Sequence, residues 1–162
     1  MTLFAAPPPP PVPADAPPLV LETFFQGRTI GRGHFTNAWT GARRAFEVTM
    51  EGSWDGRTLT LVEEFAFVDG ERDRKTWRLR RTGEGSFVGT RDDMVGEARG
   101  WMDGNIVRLE YKLRIGGWTV TFFDALGLAA DGTVRNDTEV GKWGMKIGRL
   151  HMTVRSLGRP TD

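Results

Sequence analysis

From residue 43 to residue 155, large apolar side chains recur at every second position in one run after another, and short glycine-containing stretches separate the runs. Side chains alternate between the two faces of a β-strand, so this period predicts half-buried strands. Arg43 to Trp54 places Phe46, Val48, Met50 and Trp54 on one face and Arg43, Glu47, Thr49, Glu51 and Ser53 on the other. Leu59 to Phe67, LTLVEEFAF, continues with Leu59, Leu61, Phe65 and Phe67, and Glu63 stands in the middle of that apolar face. A two-residue type I′ turn at Asp55-Gly56 would set Met50 against Leu61, Val48 against Glu63 and Phe46 against Phe65.

Trp77 and Leu79 come after Asp69-Gly70, and an odd-length loop or a bulge is needed to keep their face on the same side. Glu63 is then expected opposite Trp77, with Lys75 as its diagonal neighbour. Val107, Leu109, Tyr111, Leu113 and Ile115 form the next face. A turn at Asp103-Gly104 would oppose them to Gly100, Ala98, Gly96, Met94 and Asp92. Large residues facing very small ones leave two readings open, a core filled from elsewhere or room for a guest. Trp118, Val120, Phe122 and Leu126 make another apolar face, interrupted by Asp124. Two further strands are expected near Thr133 to Val140 and Met145 to Arg155.

Nine or ten antiparallel strands joined by short hairpins predict an all-β, up-and-down barrel, because closure removes exposed sheet edges. A Greek-key sandwich is the competing architecture, but it usually needs longer connections. Leu19 to Phe25 is a short helix or turn that could plug one end.

Composition sharpens this reading in three ways. Eight of the nine prolines lie within residues 7 to 18, so residues 1–18 are expected to be a disordered, solvated polyproline tail, residues 19–158 the barrel and residues 159–162 a C-terminal tail. Cysteine is absent, which excludes disulfides and thiolate metal sites. With 22 basic and 21 acidic residues, no global field favours nucleic acid or an anionic surface. Arg72, Arg74, Arg78 and Arg80 share a strand face, but acids flank them and no aromatic residues interleave, so a solvated outer face is expected. No apolar run reaches the length of a membrane span.

The expected inward polar set is Glu63, Lys75, Asp92, Asp124 and Asn136. Buried charges must pair, shift their pKa or see water in a cavity, which gives three readings. In the first, the barrel binds or carries a small amphipathic, lipid-like molecule: Lys75 and Lys142 meet an anionic head, and Trp77, Tyr111, Trp118 and Trp143 form walls. In the second, Glu63 or Asp124 is the base of a proton-transfer enzyme. In the third, the barrel is solid and serves as an interaction scaffold. His34 and His151 sit in no ligand-spaced cluster, the serines lack a nucleophile-elbow context, and Gly27, Gly31 and Gly33 do not match a phosphate loop, so neither a metal nor a cofactor is implied. Whether the chain is an enzyme stays open at this level, as does its oligomeric state.

The ordered series FFQGRTIGRGHF, GSWDGRTLTLVEEFAFVDGE, KTWRL, DDMVGEARG, Phe122 to Asp124, RND and KWGMKIG resembles a family of bacterial proteins catalogued only as a domain of unknown function. Many of its members look like envelope lipoproteins. The resemblance spans about residues 24 to 155 and places Glu63, Asp69, Glu71, Lys75, Trp77, Asp92, Asp93, Gly96, Gly100, Asp124, Asn136 and Lys142 on motif positions, Lys75 standing where an arginine is common. It implies a lipocalin-like or calycin-like barrel and carries no activity. Lipoprotein members would have a cysteine after an apolar leader; this chain shows neither, so a cytoplasmic location is expected.

Overall fold

A computed structural model describes residues 4–158. It contains one short helix, α1 (Leu21–Phe24), and ten strands: β1 (Gly27–Asn37), β2 (Arg43–Trp54), β3 (Thr58–Phe67), β4 (Arg72–Gly83), β5 (Ser86–Arg91), β6 (Ala98–Asp103), β7 (Ile106–Ile115), β8 (Trp118–Leu128), β9 (Val134–Lys142) and β10 (Met145–Gly158). Each strand pairs antiparallel with its neighbours in sequence, and β1 pairs with β10 to close the barrel. The up-and-down topology follows from hairpins that leave no unpaired edge. The expected C-terminal tail at 159–162 lies outside the described residues.

Each alternating face read from the sequence is an inner face, although Ile115 and Trp118 at the end of theirs are exposed, and three registers differ from expectation. Asp55 does not sit in a two-residue turn. Its carboxylate accepts the backbone N–H groups of Arg57 at 2.9 Å and Thr58 at 2.7 Å, which lengthens the loop so that Trp54 faces Leu59 and Met50 faces Glu63. The β6–β7 turn is centred on Gly104 and Asn105, so Gly100 faces Leu109. These two shifts, and a third between β3 and β4, are each by two residues, which changes cross-strand partners without changing faces. The β3–β4 connection keeps parity, as the sequence required, but pairs Leu61 with Trp77 and Glu63 directly with Lys75, not Glu63 with Trp77.

The small residues of β6 do not open space for a guest. A Cβ on Gly100 would lie 2.7 Å from Leu109 Cδ2, so the cross-strand leucine already fills that volume. At the end of the barrel beneath α1, Gly52 faces inward and its missing side chain admits the carbonyl of Phe25. Leu19, Leu21 and Phe25 are all buried there, and α1 closes that end.

The proline-rich segment is not a solvated tail. It runs as a strap along the outside of the barrel. Ala5 N–H donates to Gly144 O at 3.0 Å, Arg108 donates to Pro8 O at 2.7 Å, and the Asn105 amide donates to Pro13 O at 2.9 Å and Ala16 O at 3.0 Å. Prolines offer no N–H, but their carbonyls still accept, and the barrel supplies the donors. Val12 is buried against the outward-facing Ile106 and Ala125, over the bare backbone of Gly127. An aliphatic patch on the outer face is thereby removed from water.

Candidate functional site

The barrel encloses a cavity of about 460 Å³ that reaches from the α1 plug to a mouth at the opposite end. Most of its lining is apolar, including Met50, Leu61, Phe65, Leu113, Phe122 and Leu126. One polar cluster is set into this wall, formed by Glu63 on β3, Arg91 on β5, Tyr111 on β7, Asp124 on β8 and Asn136 and Thr138 on β9.

Asp124 is the better satisfied of the two interior acids. Thr138 Oγ1 donates to its Oδ1 at 2.7 Å and the Tyr111 hydroxyl donates to its Oδ2 at 2.8 Å. Burial still dominates, lifting Asp124 to about 6 against the pull of those two donors and of Arg91. Tyr111 is raised well above its ordinary value by burial and by the neighbouring Asp124 charge, so it remains a neutral donor. Its ring stacks on Phe122 at 5.3 Å and meets Trp77 edge-on at 5.0 Å, which fixes the direction of its hydroxyl.

Glu63 is the exceptional group. Only 7% of it is exposed, and its Oε1 has no hydrogen-bond partner among the described residues. Burial raises it to about 7, opposed by Arg91 and the Trp77 side chain and assisted by the charges of Asp124 and Asp93. The Arg91 guanidinium comes within 3.7 Å of Oε1 but is committed elsewhere, donating to Asp93 Oδ1 at 2.7 Å and Oδ2 at 2.8 Å. Although burial acts to lower Arg91, the Asp93 bond and the Glu63 charge raise it, so the cation persists. Burial pushes Asp93 up as well, and Arg91 more than reverses that, leaving Asp93 below the usual carboxylate range.

Of the residues singled out from the sequence, Glu63, Trp77, Tyr111, Asp124 and Asn136 line the cavity together. The other five lie elsewhere. The Lys75 ammonium, expected to reach into the interior, extends instead to Asp73 at 3.5 Å and Asp93 at 3.9 Å, because the directly opposed Glu63 sits in a drier layer than that strongly hydrated cation tolerates. Asp92 accepts the Thr76 N–H at 3.1 Å, serving as a ladder acceptor where β5 leaves β4. Trp118, Lys142 and Trp143 form an external cluster, with Lys142 Nζ 3.4 Å and 4.3 Å from the two indole centroids. Arg91 and Thr138 were missed. Arg91 shares the parity of Phe87 and Gly89, and Thr138 that of Asn136 and Val140, so alternation was the available signal in both cases.

His34 and His151 lie on the outer face of the β1–β10 seam, where His151 Nδ1 is 2.6 Å from Asp137. Among the described residues, no group of histidine and acidic side chains is arranged to hold a metal ion. No helix among them is long and apolar enough to cross a membrane.

Two solved structures show the same architecture at low sequence identity. The S-type phycobiliprotein lyase CPES from Guillardia theta superposes with a TM-score of 0.64 at 8% identity, covering 87% of this chain and 91% of that one. Rv2717c from M. tuberculosis gives a TM-score of 0.59 at 16% identity, covering 86% and 99%. At such identities the likeness concerns the fold. No curated protein matches the chain. Residues 4–156 match the family model described as "Protein of unknown function (DUF3833)", and the chain belongs to that family.

Proposed function

We propose that this barrel binds and carries a small amphipathic molecule whose apolar body occupies the cavity and whose polar end donates hydrogen bonds, as an alcohol or an amine does. The carrying observation is the unpartnered Oε1 of Glu63 in the wall of a 460 Å³ cavity. A buried acceptor without a donor is costly, and a ligand that supplies the donor recovers that cost. The volume lies within the usual range for ligand pockets, about 300–1,000 Å³. An anionic head is disfavoured by the same geometry. The Arg91 charge is matched by Asp93, the other lining cation, Arg44, is paired with Asp69 and Glu71, the lysines lie outside the cavity lining, and Glu63 and Asp124 face inward. The phycobiliprotein lyase among the structural neighbours supports the reading to the extent that such a barrel can serve a small-molecule partner.

Purified protein examined by native mass spectrometry, with and without organic extraction, tests this directly. A co-purifying molecule bearing a hydroxyl or amino group is expected, and Glu63→Gln or Asp124→Asn should weaken its retention about tenfold or more. A repeatedly empty barrel that takes up no fluorescent amphiphile such as N-phenyl-1-naphthylamine would refute the proposal.

Proton transfer is the second reading, favoured by one observation: Glu63 at about 7 and Asp124 at about 6 titrate where a general base and acid are useful. It requires a substrate with an acidic C–H or O–H at the polar cluster. NMR titration giving ordinary acidic values for both groups would remove its basis.

A further inference from the structure

Alternate hairpin turns gather at each end of the barrel, and the mouth end has an unusual surface. Seven of the nine large hydrophobic residues that are exposed among the described residues lie there: Phe4, Trp39, Val68, Val95, Ile115, Trp118 and Trp143. They are unevenly shared around the rim. The half formed by the ends of β1, β2, β7, β8, β9 and β10, contiguous in the closed sheet, carries all three exposed tryptophans, at 61%, 51% and 77% exposure for Trp39, Trp118 and Trp143.

Charge follows the same division. The segments AWTGAR (38–43), KLRIGGWT (112–119) and GKWGMKI (141–147) contain five cations, Arg43, Lys112, Arg114, Lys142 and Lys146, and no acid. The facing half, VDGERDRK (68–75) and RDDMVGE (91–97), contains six acids and four cations, Arg72, Arg74, Lys75 and Arg91, and so is net acidic. Lys146 is paired with Glu139, but Arg43, Lys112, Arg114 and Lys142 take part in no ion pair among the described residues.

The backbone also invests in this display. Trp143 is the one non-glycine residue among those described with a left-handed conformation, at φ 54°. Asparagine or glycine is the usual occupant of such a turn position, and a bulky side chain there is strained. The turn nevertheless carries a large exposed indole, edge-to-face with Trp118 at 5.3 Å and with Lys142 Nζ over both rings.

We propose that this half of the rim docks the barrel mouth onto an anionic lipid surface. Tryptophan favours the boundary between headgroups and acyl chains, and lysine and arginine beside it add attraction to anionic headgroups. The cations match that surface, and the acidic half of the rim would tilt away from it. Docking puts the cavity entrance, where Phe35, Phe67, Ile115 and Ile147 converge, next to the layer from which an amphipathic molecule would be drawn. The docking stands on the rim alone and does not require that the cavity be loaded.

Flotation of the full chain with vesicles is the test, comparing phosphatidylcholine alone with a mixture containing about one-third phosphatidylglycerol. Binding to the anionic vesicles is expected, with a blue shift of tryptophan emission and quenching by brominated acyl chains. Trp39→Ser/Trp118→Ser/Trp143→Ser should weaken binding at least tenfold, and Arg43→Glu/Lys112→Glu/Arg114→Glu should remove its salt dependence. All six positions are exposed turn or rim residues, so circular dichroism should report intact folds. Absence of vesicle binding at low salt, undiminished binding by the tryptophan variant, or a concentration-dependent dimer abolished by that variant would each overturn the proposal. A barrel that floats with vesicles while retaining no ligand would leave docking intact and reject the carrier reading.

Discussion

Arg91 reaches across β4 to bring Nη1 within 3.7 Å of the Glu63 carboxylate, but its Nε and Nη2 are engaged by Asp93 and Nη1 stops short of hydrogen-bonding distance, leaving Glu63 Oε1 without a donor. One cation thus serves two acids unequally. Asp93 is held low and Glu63 is left high, and this asymmetry makes the interior responsive to pH and to ligand.

Glu63 at about 7 and Asp124 at about 6 both lie above their ordinary values of 4.5 and 3.8, so the native state binds more protons than the unfolded chain. Their stabilising contribution is complete below the unfolded values and is lost as pH rises through 6 and 7. Urea unfolding should show stability falling by ~2–4 kcal/mol between pH 5 and pH 8. The acids held low, Asp55, Asp69, Asp93 and Asp131, act in the opposite sense below about pH 4 and do not disturb this window. Glu63→Gln should flatten the upper part of the slope and exceed the parent in stability at pH 8. A steeper slope in the variant would show that the carboxylate is not desolvated.

Replacing Arg91 by methionine leaves Asp93 and Glu63 with less neutralising charge in a buried layer. A loss of ~3 kcal/mol at pH 8 is expected, shrinking towards pH 5 as Glu63 takes up its proton. Lys75→Met removes only a partly exposed partner of Asp73 and Asp93 and should cost less than ~1 kcal/mol. Equal losses in the two variants would contradict the assignment of Arg91 as the interior cation.

Leu126→Trp extends a wall residue into the cavity. Since the space is already open, stability should stay within ~1.5 kcal/mol of the parent, whereas uptake of N-phenyl-1-naphthylamine should fall at least tenfold. Unchanged uptake would place the probe outside the barrel.

Val12→Asp puts a charge against Ile106 and Ala125 beneath the proline-rich strap. Thermal unfolding should shift downward by the equivalent of ~1–3 kcal/mol, and limited proteolysis should begin to cut within residues 7–18. An unchanged midpoint and cleavage pattern would mean that the strap adds no stability.

The division between sequence and tertiary structure follows from the geometry of strands. Alternation at Phe46, Val48 and Met50, or at Val107, Leu109 and Tyr111, is a local property with period two, so the sequence alone determined which strand faces turn inward and that Glu63 and Asp124 lie on them. Register depends on the conformation of loops, and Asp55 reset one hairpin by two residues through its own side chain, invisibly to the pattern. Only closure decided which inward groups meet, since β3 and β5 are separated by β4 and become neighbours for Arg91 and Glu63 only across a curved wall. The ends of long side chains were equally a tertiary matter, because four or more rotatable bonds let Lys75 leave the interior for the acids at the mouth. The strap illustrates the same limit: proline content reports a chain that cannot join a ladder, but the barrel's outward Asn105, Arg108 and Ile106 decide that it is held.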